Sequence, residues 1–364
     1  MLSFVIEYKK IYFKESMEEG IFNLDQAKSH CMECYDGNFC TKCLEKTVIG
    51  EKDKINEHFK FIDFLAYVFY PPLLFSGPLI NYNSFIFQLN IYKQSQHNIL
   101  IKMNKILYLL KIVFLFIIME VYNHYLFPMF FFKIKYISFE PSADVSLFYY
   151  IFICLNILTF LWFKFSIIWK FFRFCAWCDG IYTEENMNRF IYNIYSLESF
   201  FRGINRSLNR WLVRYIYIPF GGKNKKYLNI WIVFGFFYLF FDYSNIEYAI
   251  FSICCCILID MEMLAKNNFI DKFGEDFNEK FYLRYIKYIV CSFYIFIMFT
   301  IGLFGFCLDF DDVKDIFDII KEKKGYAYFI LLPLLLVPNV VMMYFIRDIE
   351  LEKSALLHKK PLNY

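Results

Sequence analysis

Arg202, Arg206, Arg210 and Arg214 recur every fourth residue in the stretch FFRGINRSLNRWLVRYIYIPFGG, residues 200–222. On a helix that interval drifts slowly around one face. Phe201, Ile204, Leu208, Trp211 and Tyr215 take 3-4-3-4 steps and mark the opposite face as apolar. Pro219 and the Gly221–Gly222 pair then end the helix. A cationic ladder backed by aromatic residues suits a helix at a membrane surface, with arginines snorkelling to water. It equally suits one that lines a polar cavity within the membrane.

A second constellation is CMECYDGNFCTKC, where Cys31, Cys34, Cys40 and Cys43 form two C-x-x-C pairs five residues apart. Four thiolates at such spacing point to a tetrahedral zinc site, here a cramped one because such pairs usually flank a longer loop. A disulfide pair, acylated thiols and plain loop cysteines stay open as alternatives. Of the five histidines, His30, His58, His97, His124 and His358, only His124 ends an apolar block. It reads as an interfacial histidine.

The elements that must position these groups are membrane helices. Of 364 residues, 59% are hydrophobic and 23% aromatic, with 49 Phe and 30 Tyr. Soluble domains hold roughly 45–50% apolar residues, and the excess here falls in blocks long enough to span a bilayer, which takes about 20 residues. The blocks run over residues 104–132, 145–169, 228–241, 246–260, 286–308 and 326–346. DYSNIE divides the third from the fourth, so these two are expected as helices meeting at a turn. The segment Phe61–Ile80 holds Pro71, Pro72, Gly77 and Pro78, so it is expected to be broken or re-entrant, with its freed backbone groups packed against protein. Residues 309–325 read as an amphipathic surface helix, and the last 18 residues, rich in charge, as a solvated tail. The fold class is all-α, a polytopic helical membrane protein with broken segments and an interfacial amphipathic helix. Three regions are expected: 1–60, a helix remnant and cysteine-bearing loop; 61–350, the membrane core; and 351–364, a polar tail. A net charge of +3 is too small to imply nucleic-acid binding. No cleavable signal peptide is apparent, since Glu7, Lys9 and Lys10 interrupt the apolar start.

Four stretches, in order, resemble the membrane-bound O-acyltransferases, in the branch of the glycerol-uptake protein and hedgehog acyltransferase. They are FLAYVFYPPLLFSGPLINYNSF (64–85), the run from Phe171 to Trp211, RYIYIPFGG (214–222) and MMYFIRDIE (342–350). MLSFVIEY resembles an interior motif of that family, so further helices are expected before it.

The resemblance implies transfer of a fatty acyl chain from acyl-coenzyme A to a hydroxyl of a lipid in the endoplasmic reticulum membrane. A lyso-form of the glycosylphosphatidylinositol anchor is one such acceptor. The arginines Arg202 to Arg214, with Lys223, Lys225 and Lys226, would hold the donor's phosphates. A hydroxyl needs a base as it attacks, usually a histidine poised near working pH. Here the family's Trp-His-Asp reads Phe240-Phe241-Asp242, so the position of the base is Phe241, which has no titratable group. The family's second polar position falls on Asn205, able to polarise a carbonyl but not to take a proton. Asp242 is one helical position, about 100°, from the expected base. The alternative is a family member that binds lipid or a partner without catalysis. A glycerol transporter ranks last, because nothing reads as a paired-repeat transport core.

Overall fold

The structure, a computed structural model, describes residues 61–93, 105–126, 147–187, 189–242, 244–270, 281–306 and 328–359, with Lys314 and Lys321. Among them there are helices and no strand. In chain order these are α1 (Phe61–Val68), α2 (Pro71–Phe75), α3 (Tyr82–Lys93), α4 (Lys105–Leu126) and α5 (Leu147–Cys178). They continue with α6 (Leu197–Gly203), α7 (Arg206–Leu212), α8 (Lys226–Asp242), α9 (Ile246–Ala265), α10 (Phe281–Phe306) and α11 (Tyr328–Lys359).

Among the described residues, five stretches are long and apolar enough to cross a membrane: Lys105–Leu126, Leu155–Cys178, Ile246–Asn268, Leu283–Leu303 and Ile330–Glu350. The chain is thus an all-α, polytopic membrane protein. Helices α4, α5 and α8 to α11 follow the apolar blocks, with two long extensions. Helix α5 runs on to Cys178, and α11 continues past its apolar part to Lys359. The expected turn between the third and fourth blocks separates α8 from α9, and the Asn245 side chain caps α9 by accepting from the Glu247 N–H at 2.8 Å. The cysteine cluster Cys31–Cys43, and all of 309–325 apart from two lysines, lie outside the described residues.

The chain divides into two compact units, with boundaries that fall inside α5, α6 and α8. The first takes its described residues from 1–125, 161–188 and 202–229. Its proline-rich entry is broken as expected: α1 ends at Val68, and Pro71 and Pro72 open the single turn of α2. Gly77 then passes so close to Pro72 that a Cβ would collide with the Pro72 carbonyl oxygen. Tyr67 donates its hydroxyl to the Ile80 carbonyl at 2.8 Å, which answers one backbone group the prolines leave open. Tyr82, Phe85 and Ile86 of α3 pack with Ile80, Ala176 and Ile181.

The second unit takes its described residues from 126–160, 189–201 and 230–364. Here Phe251, Cys255 and Ile259 of α9 pack with Met298 of α10 and Leu197 of α6. Ile295 of α10 packs with Val340 and Met343 of α11.

Charged side chains set within the helices carry partners, as a low-dielectric interior requires. In the first unit, Lys170 and Arg173 of α5 are buried, and both pair with Glu185, Arg173 Nη1 at 2.6 Å. The Arg173 guanidinium also stands 4.2 Å from the centre of the Trp177 ring and donates through Nε to the Thr183 carbonyl at 2.9 Å. These contacts explain why the helix continues beyond residue 169, where charge interrupts the apolar block. In the second unit, Glu262 of α9 accepts from Ser196 Oγ at 2.5 Å, Lys266 Nζ at 2.7 Å and Tyr294 Oη at 2.7 Å. Lys266 reaches Glu198 as well, at 3.2 Å.

Candidate functional site

The arginine-bearing stretch does not form the single continuous helix that its spacing predicts. Helix α6 ends at Gly203, and Asn205 adopts left-handed backbone geometry with φ +55°. Among side-chain-bearing residues asparagine tolerates that region best, because its short amide can bond locally. Helix α7 restarts at Arg206 and lasts seven residues. From Val213 to Tyr217 the chain winds as a π-helix, a geometry that often marks functional segments. The four arginines are therefore distributed over three segments: Arg202 on α6, Arg206 and Arg210 on α7, and Arg214 on the π-helical turn.

The break is held from outside the stretch. The loop at residues 181–187 follows α5, and its buried Asn186 covers the start of α7. The Asn186 main-chain carbonyl accepts from the Arg206 N–H at 3.2 Å, and its Oδ1 accepts from the Ser207 N–H at 3.1 Å. Asn186 Nδ2 donates to Asn205 Oδ1 at 3.3 Å. Two orphan N–H groups of the new helix are thus satisfied by a residue 19 positions before Asn205 rather than by the local cap. The same loop is clasped by buried Gln88 of α3, which accepts from the Tyr182 N–H at 2.5 Å and donates to the Tyr182 carbonyl at 3.2 Å.

Glu184, two residues before Asn186, carries the electrostatics. Its carboxylate meets both Arg206, Nε to Oε2 at 3.3 Å, and Arg210. The Glu184 side chain is 11% exposed, against 32% for Arg206 and 26% for Arg210, so the arginines face outward from a mostly buried anion. A small pocket beside this pair is lined by Ser84, Thr183, Glu184, Ser207, Arg210 and Trp211 among others. Ser207 Oγ accepts there from the Leu79 N–H at 2.9 Å, which ties the proline-broken segment to α7.

Beyond α7 the chain reverses through Gly221 (φ +109°) and Gly222 (φ +53°), where the glycines supply the backbone freedom. Buried Asn229 fixes this turn by donating to the Gly222 carbonyl at 2.9 Å and the Tyr217 carbonyl at 3.3 Å. Tyr70 donates its hydroxyl to Asp179 Oδ2 at 2.8 Å. Burial first, and then the Asp179 carboxylate, push the Tyr70 phenol upward, so it stays a donor.

Asn205, Arg202, Arg206, Arg210 and Arg214 thus all belong to the first unit, together with Glu184 and Asn186, which periodicity did not point to. Phe241 and Asp242 are the last two residues of α8 and belong to the second unit; their side chains lie outside the described part. His124 is exposed at the end of α4. Among the described residues, no group of three or more His, Cys, Asp or Glu is placed to hold a metal ion.

Fold and site together define a polytopic α-helical membrane protein whose helix-breaking asparagine and arginine row are built into a polar inlay. Residues 7–308 match the membrane-bound O-acyltransferase family, MBOAT, and the chain belongs to that family. It is similar to the membrane-bound O-acyltransferase GUP1 of Saccharomyces cerevisiae, 29% identical over 90% of this chain and 56% of that protein. GUP2 of the same yeast is 27% identical over 86% of this chain and 50% of its own length. Gup1 of Schizosaccharomyces pombe is 29% identical over 81% and 50%. The chain spans about half the length of the curated relatives it matches.

Proposed function

We propose that this chain binds acyl-coenzyme A and a membrane lipid as an acyltransferase of its family, and that it transfers the acyl chain slowly because residue 241 is phenylalanine. One observation carries this reading: Arg206 and Arg210 are set side by side on Glu184 next to Asn205, which prepares a fixed cationic edge. Fixed guanidinium groups suit phosphate oxygens, which they hold through charge-assisted hydrogen bonds. Arg202 and Arg214 are proposed to add to it from the neighbouring segments, and Asn205 is the group proposed to polarise a carbonyl.

The proposed acceptor is a hydroxyl of a membrane lipid, a lyso-form of the glycosylphosphatidylinositol anchor being the specific case, in the endoplasmic reticulum membrane. A hydroxyl attacking a thioester loses its proton in the transition state, and a positioned base contributes about 10²–10⁴-fold. Phenylalanine supplies none of that. Asp242 is offset from Phe241 by one helical step within α8, about 100° of rotation. The second reading, a family member that binds substrates without turning them over, is favoured by the same Phe241.

Binding and transfer separate cleanly in experiment. The purified chain in lipid nanodiscs is expected to bind long-chain acyl-coenzyme A while moving little labelled acyl chain to a lysolipid. Absence of acyl-coenzyme A binding would overturn the proposal.

A further inference from the structure

In the first unit α4 and α5 lie against each other antiparallel. Tyr108 stands 4.6 Å from Trp177 between ring centres, and Tyr122 stands 5.8 Å from Phe163. That register brings Lys111, one turn beyond Tyr108, level with the turn of α5 that carries Lys170 and Arg173. The Lys111 and Lys170 ammonium groups are near enough to act on each other. Lys111 is exposed, on a face of α4 shared with exposed Leu107 and Phe114, the kind of surface a membrane-crossing helix gives to lipid.

Charge and hydrogen-bond donors are concentrated here. Among the described residues Lys170 and Arg173 meet one carboxylate, Glu185, and Lys111 meets none. Ser166 Oγ, one turn before Lys170 on the same face of α5, is buried without a hydrogen-bond partner among those residues. So is Nε1 of Trp177, whose ring the Arg173 guanidinium overlies. An indole N–H can only donate, and a buried donor left unpaired is costly. Three cations, an indole N–H and a hydroxyl suit an anion with several acceptor oxygens, which a phosphate offers.

We propose that this corner binds the phosphate of an anionic glycerophospholipid, with Lys111 at its lipid-facing edge and Lys170 behind it. Its depth fits a headgroup. Lys111 stands six residues, about 9 Å, inside the start of α4, and Lys170 eight residues, about 12 Å, inside the end of α5. A lysine stem bridges part of that distance by snorkelling, and basic corners between membrane helices seat anionic headgroups. A zwitterionic lipid would bring its own ammonium against the same cations, so net charge selects the ligand. The arginine row is a separate set: it is anchored on Glu184, this corner on Glu185. The proposal therefore does not depend on acyl-coenzyme A binding.

The test is lipid retention by the full chain, purified in detergent, titrated with dioleoylphosphatidylglycerol or dioleoylphosphatidylcholine and read by native mass spectrometry. Wild type should prefer phosphatidylglycerol, and Lys111→Gln and Lys170→Gln should each lower that preference about five-fold. Arg206→Ala should keep it. Lys111 is exposed and outside any described ion pair, so its variant separates lipid binding from folding. Equal retention of both lipids, or a preference that Lys111→Gln leaves intact, would overturn the proposal. Loss of the preference in Arg206→Ala would put the lipid on the arginine row and overturn it too. Inorganic phosphate distinguishes the source. Thermal stabilisation by phosphate that depends on Lys111, with no preference between the lipids, would make the ligand a free phosphate and overturn the lipid assignment.

Discussion

Glu184 holds its Oε2 3.3 Å from Nε of Arg206, and the same carboxylate also meets Arg210. The row of arginines is therefore anchored on an acid from a loop some twenty residues earlier. The pair is only partly exposed, so its worth lies between that of a surface ion pair and a fully buried one. Glu184→Ala is expected to destabilise the protein by about 1–2 kcal/mol. Thermal unfolding of the detergent-solubilised protein measures this. A double-mutant cycle with Arg210→Ala should show strong non-additivity, and additive effects would mean that the pair carries no coupling.

The left-handed Asn205 and the cap from Asn186 make a second prediction. Asn186→Ala removes the acceptor for the Ser207 N–H and the donor to Asn205, and should cost about 1–2 kcal/mol. Asn205→Gly and Asn205→Ala both remove the acceptor for the Asn186 amide, and the alanine variant should be about 1 kcal/mol the less stable of the two because alanine pays the left-handed penalty. Equal stabilities for the glycine and alanine variants would contradict the described backbone.

In the second unit, Tyr294 supplies one of three hydrogen bonds to Glu262. Tyr294→Phe keeps the ring and removes that donor, at an expected cost of about 1–3 kcal/mol for an acceptor left short of a partner. Glu262→Ala should cost more, since it takes the carboxylate from Lys266 as well. Unfolding midpoints in detergent rank the two variants, and the reverse order would contradict the network.

Phosphate binding by the arginine row is tested at Arg206. Arg206→Ala should weaken acyl-coenzyme A binding by about ten-fold or more, the range of one lost charge-assisted hydrogen bond. Binding of the matching free fatty acid should hardly change. Unaltered acyl-coenzyme A affinity would leave the arginines with internal pairing and snorkelling alone.

Much of the fold was legible because membrane helices announce themselves by length and apolarity, and prolines by the breaks they force. The turn between α8 and α9, the broken entry around Pro71 and Pro72 and the helix stop at Gly221–Gly222 all followed from local chemistry. The arginine stretch was legible in content but not in shape. Regular four-residue spacing argues for one helix, and it carries no sign that Asn205 turns left-handed or that residues 213–217 widen into a π-helix. Both depend on partners remote in sequence, and a loop without periodicity gives no pattern to read. The one available signal was charge: Glu184 and Glu185 form an adjacent acidic pair in an apolar chain, and buried acids in membranes seek cations. Glu184 found Arg206 and Arg210, and Glu185 found Lys170 and Arg173. Asn186 and Asn229 gave no such signal, because an amide that caps a distant turn has no fixed spacing from it.

Residue 241 offers the most direct test of the account, which holds that donor binding is retained and acyl transfer is limited by a missing base. The measurement is transfer of labelled acyl chain from acyl-coenzyme A to lysolipid by the purified chain, side by side with Phe241→His. The account predicts slow transfer by the unmodified protein and a rise of about 10²–10⁴-fold in the histidine variant. Rapid transfer by the unmodified protein, unchanged by Asn205→Ala and Asp242→Ala, would contradict it.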